Sequence, residues 1–155
     1  MSFKLHPDAR TWFHRIEGHE PFGTHFDFYY LCVMVGIHRG RADHLEAGHE
    51  FVNEFIQRYR PYQTLLVGAL ISAVLKRKGI FVNERETVVK EIARLVNGSS
   101  SGGELTSEGF QELNDYAAGG FNEIREQLED LPNNPIYLLA RCREILAVAN
   151  SDPAA

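Results

Sequence analysis

Two cysteines in 155 residues, Cys32 and Cys142, are too few and too far apart for a disulfide framework, a zinc site or a redox pair. Each sits in an apolar stretch, where a free thiol behaves as a small buried hydrophobe. A long apolar run is also missing. The longest uncharged segment, Pro61 to Leu75, has fifteen residues, whereas a membrane span takes about 20. The first eight residues lack the basic-then-apolar pattern of a secretory signal. No Gly-Lys-Ser/Thr loop and no Gly-x-Gly-x-x-Gly cradles a phosphate, and the zinc-protease pattern His-Glu-x-x-His is absent. The serines of residues 98–103 follow no predicted strand, so the context of a nucleophile elbow is missing. These absences predict a cytoplasmic protein with no membrane partner and no cofactor, and they weigh against catalysis by serine or cysteine.

What is present is ordinary for one globular domain: 44% apolar, 24% charged and 11% aromatic residues. Thirteen glycines and six prolines follow no repeat, which excludes a collagen-like chain. The net charge of −5 argues against a general nucleic-acid coat but hides a division. Residues 1–80 carry ten Lys/Arg against eight Asp/Glu, and residues 81–155 carry six against thirteen. All seven histidines lie within the first 49 residues. Such asymmetry between halves marks a possible partner surface.

Hydrophobic spacing predicts an all-α fold: a single-domain bundle of six to seven helices over residues 1–150, with a flexible internal loop at 98–103 and a tail at 151–155. Pro7 and Asp8 open a short helix carrying Trp12, Phe13 and Ile16, with Gly18 at its end. Residues 26–37 are nearly all apolar and suit a buried strand or a buried helix. A helix is preferred, because few other strand candidates exist to build a sheet. Asp43 with Glu46 resembles a capping box, and Leu45, Val52, Phe55, Ile56 and Tyr59 then recur at helical spacing up to Pro61. Residues 62–78 lack a polar face and predict the buried central helix, stopped at Gly79. Asn83 with Glu86, Thr106 or Ser107, and Asn134 before Pro135 mark three further helix starts.

Three constellations could carry function. Glu46 and His49 have the Glu-x-x-His spacing of helical metal ligands, with His44, His14, Glu17 and Glu50 as companions. Only one such copy exists, so a full di-iron set would need a second chain. Arg39, Arg41, Arg58, Arg60, Lys76, Arg77 and Lys78 fall near predicted helix ends and could contact phosphates if those ends meet in space. Helix termination accounts for the same cations. Ala117, Ala118, Gly119 and Gly120 place two glycines inside a helix, at about 1 kcal/mol each relative to alanine. A helix must approach closely there, from within the chain or from a partner.

The reading that results is a non-enzymatic accessory or adaptor subunit of a larger, prokaryotic assembly, binding a protein partner or itself. The alternatives are a nucleic-acid-associated subunit and a metal-dependent helical enzyme.

Overall fold

A computed structural model of the chain describes residues 1–98 and 104–148. In order, the elements are β1 (Phe3–Leu5), α1 (Ala9–Phe13), α2 (His25–Arg39), β2 (His49–Val52), α3 (Gln63–Arg77), α4 (Arg85–Leu95), β3 (Val96–Asn97), β4 (Glu104–Leu105), α5 (Ser107–Gln127) and α6 (Pro135–Ala147). The fold is mostly helical without being all-α: six helices stand beside two small antiparallel sheets, β1–β2 and β3–β4, among the described residues. The expected tail at 151–155 and all but Gly98 of the expected loop at 98–103 lie outside them.

Residues 26–37 are helical, as preferred, within α2. The start is set by a capping box at Thr24. The Thr24 side chain accepts from the Asp27 N–H, and the Asp27 carboxylate accepts the Thr24 N–H at 2.8 Å. The caps at Thr106 and Asn134 also form, each side-chain oxygen accepting from the first turn of its helix.

The expected helix over residues 43–59 does not exist. In its place stands β2, paired antiparallel with β1 in a register that sets Leu5 opposite His49 and Phe3 opposite Val52. The reason is tertiary. Phe3 and Leu5 are buried, and Phe3 meets the rings of Phe26, Tyr29, Phe55 and Phe110 at 4.9–5.3 Å. A strand that deep must have its peptide groups paired. β2 pairs with it along one edge, and elsewhere Asn114 of α5 meets its backbone. The Asn114 Oδ1 accepts from the Lys4 N–H at 3.0 Å and the Tyr29 hydroxyl at 2.8 Å, and its Nδ2 donates to the Ser2 carbonyl at 3.0 Å. Gly48 fits the same arrangement, since a Cβ there would lie 2.9 Å from the Leu5 carbonyl oxygen.

The central element is also not the expected one. α3 buries Leu66, Val67, Leu70 and Val74, while Leu65, Gly68 and Ser72 on its other side face solvent. The core instead forms where α2 crosses α5, which buries Leu113, Tyr116, Ala117, Phe121 and Ile124. An uncharged face of small residues resembles a core face in sequence, yet it has little apolar area to bury. The aromatic residues of α2 have far more.

Glycine makes the α2–α5 crossing possible. A Cβ on Gly120 would lie 1.6 Å from the Cys32 carbonyl oxygen, and one on Gly36 would lie 2.0 Å from that of Tyr116. Gly68 differs, because a Cβ there would meet nothing within 4 Å. Gly68→Ala is therefore expected to stabilise the isolated protein by about 0.5–1 kcal/mol. A higher urea midpoint at unchanged slope would show it, and a lower midpoint would contradict the open geometry.

Candidate functional site

Four of the seven histidines divide between two grooves. Arg10 and Thr11 on α1, His14 and Glu17 just beyond it, and His49 on β2 line one of about 490 Å³. His25, the first residue of α2, stands behind its wall with Nε2 2.6 Å from a Glu17 oxygen. His14 Nδ1 lies 4.0 Å from a Glu17 oxygen, and Arg10 Nη1 lies 3.3 Å from His49 Nε2. His49 is held below its ordinary pKa by burial first, then by Arg10 and His25. A second groove of about 420 Å³ is lined by His6, Asp43, His44, Glu46 and Asn122 among others. There His44 Nδ1 lies 3.6 Å from the Asp115 carboxylate.

The metal set expected from sequence is thus split. His14 and His49 share one groove, while His44 and Glu46 line the other. Glu46 and His49 cannot share a helix face, because their segment is a turn leading into β2. Glu50 turns outward to pair with Lys4 at 3.4 Å. Among the described residues, no three His, Cys, Asp or Glu side chains are grouped to hold a metal ion. Sequence spacing missed the Glu17–His25 pair, since the two residues are joined only by an irregular loop. A carboxylate-held imidazole can exchange a proton, and of the residues lining that groove Thr11 alone carries a hydroxyl. Neither thiol competes as a nucleophile: burial pushes Cys32 well up and Cys142 to about 12.

The basic clusters do not converge. Arg39 and Arg41, at the C-terminal end of α2, bind Glu123 at 3.1 and 3.2 Å, and Arg41 also holds Glu126 through two bonds of 2.8 and 3.1 Å. Arg58 lies 3.7 Å from Asp27, at the opposite end of α2. Those ends are about 18 Å apart at 1.5 Å per residue. Arg77 binds Glu112 at 2.9 Å, Lys78 binds Glu91 at 2.9 Å, and Arg60 lies 3.8 Å from Glu54. Lys76 faces solvent. Six of the seven cations thus stand against carboxylates, which already supply the charge a phosphate would offer. The helix-turn-helix suggested by α3 and α4 has the same difficulty, with Glu84, Glu86 and Glu91 on or beside its second helix.

Ala117, Ala118, Gly119 and Gly120 are all buried. Their close approach is internal: Gly120 lies against α2, and a Cβ on Gly119 would stand 2.1 Å from the Arg41 carbonyl oxygen. No surface remains there for a partner. The letters Gly98-Ser99-Ser100-Ser101-Gly102 do match a nucleophile elbow. All but Gly98 lie outside the described residues, and the described elements before and after them are the strands β3 and β4, whereas an elbow stands between a strand and a helix.

His6 offers a test of this region's electrostatics. Its ring packs on Phe121 at 4.8 Å, and its Nδ1 accepts the Asp8 N–H at 3.1 Å. Burial first, then Arg125, lowers its pKa from 6.5, against weaker opposing pulls from Asp8 and Asp43. The folded protein therefore favours the neutral ring, and the unfolded chain takes up a proton first as pH falls. The stabilisation is complete above pH 6.5 and is lost as pH drops toward the lowered folded value. Urea midpoints measured between pH 7.5 and 5.5 are expected to fall with acidification, and His6→Asn to flatten the fall. An unchanged slope in that variant would contradict the assignment.

Large exposed apolar side chains lie elsewhere, on α3, α4 and the turn between them, and also on α6, where Ile136 is 75% exposed. Leu65 is 63% exposed, Phe81 72%, Val82 85% and Val89 63%. No helix is long and apolar enough to cross a membrane among the described residues. In comparison with known proteins the chain matches no family model, no curated protein and no solved structure.

Proposed function

We propose that this chain is a small accessory or adaptor subunit that binds a protein partner and performs no catalytic step of its own. One observation carries the reading: α4 has an amphipathic pattern but buries only Leu95. Val89 and Ile92 remain uncovered on it, next to the exposed Phe81 and Val82. Soluble domains seldom leave such a set of large apolar groups in water unless a partner covers it. The test is to purify the full chain from its own host and to measure its mass by sizing with light scattering. A stoichiometric second protein is expected in the complex, giving a mass well above 17.6 kDa. A 17.6 kDa monomer without a companion at every concentration would end the reading.

A second reading rests on the Glu17–His25 pair beside a groove that also holds His14 and His49. It would make the N-terminal third an acid–base or metal-dependent site. Metal analysis of untagged protein, together with the pH dependence of any turnover, tests it. Nucleic-acid binding has less support, because the cations that would serve it are engaged by carboxylates. Salt-independent retention on DNA would remove it altogether.

A further inference from the structure

We infer that the groove between α1 and β2 binds the phosphate group of a small anion, with Arg10, Thr11, His14 and His49 as its donors. This site is independent of the adaptor reading. The basic side chains of the protein are partnered unevenly. Arg39, Arg41, Arg77, Arg94 and Arg125 each hold a carboxylate at 2.8–3.1 Å. Arg10 holds none: its one polar contact among the described residues is His49 Nε2, at 3.3 Å. The carboxylates near it in sequence or in the groove are engaged elsewhere. Asp8 is bound by Arg125 at 3.0 Å, and Glu50 pairs with Lys4 at 3.4 Å. Glu17 lines the groove as well, but His25 holds it from behind at 2.6 Å. A guanidinium that meets only an imidazole keeps most of its five N–H donors free.

The same contact fixes the proton on His49. Because Arg10 can only donate, Nε2 accepts, so the neutral ring carries its hydrogen on Nδ1 and remains a donor. Arg10 and His25 also add to burial in holding His49 below its ordinary pKa, the sign of a positive field at that ring. Thr11 contributes a hydroxyl to the groove, and the exposed His14 a second imidazole. Donors on four side chains suit an anion with more than two oxygens. A phosphate group accepts from several donors together, and the planar arginine fork matches two of its oxygens. A carboxylate, with two oxygens in all, satisfies fewer of them. The chain has no glycine-rich phosphate loop, so the donors are side chains throughout. A groove of about 490 Å³ also has room for an organic remainder attached to the phosphate.

The experiment follows the histidine ring signals of the full-length protein by NMR while inorganic phosphate, glycerol phosphate or acetate is added at constant pH and ionic strength. Saturable shifts of the His14 and His49 rings are expected with both phosphates, at a Kd of about 1 mM or below. Acetate is expected to bind at least about tenfold more weakly. Tighter binding of glycerol phosphate would identify an organic phosphate as the ligand, and equal binding the free ion; either supports the site. Arg10→Gln is expected to weaken phosphate binding at least about tenfold, and Thr11→Val severalfold. Both residues are exposed, so an unchanged melting temperature shows that the fold survives. Lys90→Gln, at an exposed cation outside the groove, is expected to leave binding as it was. Ring shifts that rise without saturating would overturn the inference. So would acetate binding as tightly as phosphate, or a phosphate affinity untouched by both groove variants.

Discussion

Gly120→Ala is expected to unfold the protein or to cost at least about 3 kcal/mol, the upper end of the overpacking range. A total stability of about 5–15 kcal/mol leaves little margin for such a loss. The added methyl would sit 1.6 Å from the Cys32 carbonyl oxygen and 2.8 Å from the Gly36 nitrogen. Both obstacles are backbone, and both belong to the middle of α2. No side chain can rotate away, so the two helices must separate along their whole contact, and the packing of Tyr116 and Phe121 is lost with it. Gly36→Ala, at 2.0 Å from the Tyr116 carbonyl oxygen, should behave alike. Urea unfolding of the three variants Gly36→Ala, Gly120→Ala and Gly68→Ala checks the ordering. A Gly120→Ala protein within about 1 kcal/mol of the parent would show that α2 and α5 do not pack this closely.

Asn114→Ala is expected to cost about 3 kcal/mol for a different reason. It removes one buried side chain that satisfies three groups: the Lys4 N–H, the Ser2 carbonyl and the Tyr29 hydroxyl. Each buried group left unpaired costs about 1–3 kcal/mol, with water recovering part of this near the chain start. Tyr29→Phe removes a single arm and should cost about 1 kcal/mol. Hydrogen exchange separates the alanine variant from a general weakening. The Lys4 amide should exchange much faster relative to amides at the centre of α5. If β1 stays as protected as α5, the anchoring role assigned to Asn114 is wrong.

The helices that sequence placed correctly share a feature: their caps and stops are local. Asn134 before Pro135, Thr106 before α5 and Gly79 after α3 act within a turn of where they stand. The helix expected over residues 43–59 failed because its governing interaction is not local. Leu45, Phe55 and Tyr59 do recur at helical spacing, but a buried strand more than forty residues earlier needs a hydrogen-bonding edge, and β2 provides it. The Glu46–His49 ligand pair failed with that helix, since it depended on a shared helical face. At Ala117–Gly120 the need for a close approach was legible, while its internal direction depended on where Gly36 falls on α2. For the basic clusters, their nearness to helix ends was legible. Their carboxylate partners were not, because Glu123 and Glu112 come from α5, up to 84 residues away.

The hold of Asn114 on β1 also fixes an order of events during synthesis. The strand is made first, but its partner on α5 follows it by 110 residues. At about 5–20 residues per second, translation leaves the strand waiting about 6–22 s for that partner. During this interval the surroundings of Phe3 are incomplete, because Phe110 and Asn114 have not been made. α2 and β2 can form beforehand, yet the core cannot close. A fusion that buries or blocks the first five residues should therefore act late, by preventing the final closure, and the earlier helices should form regardless.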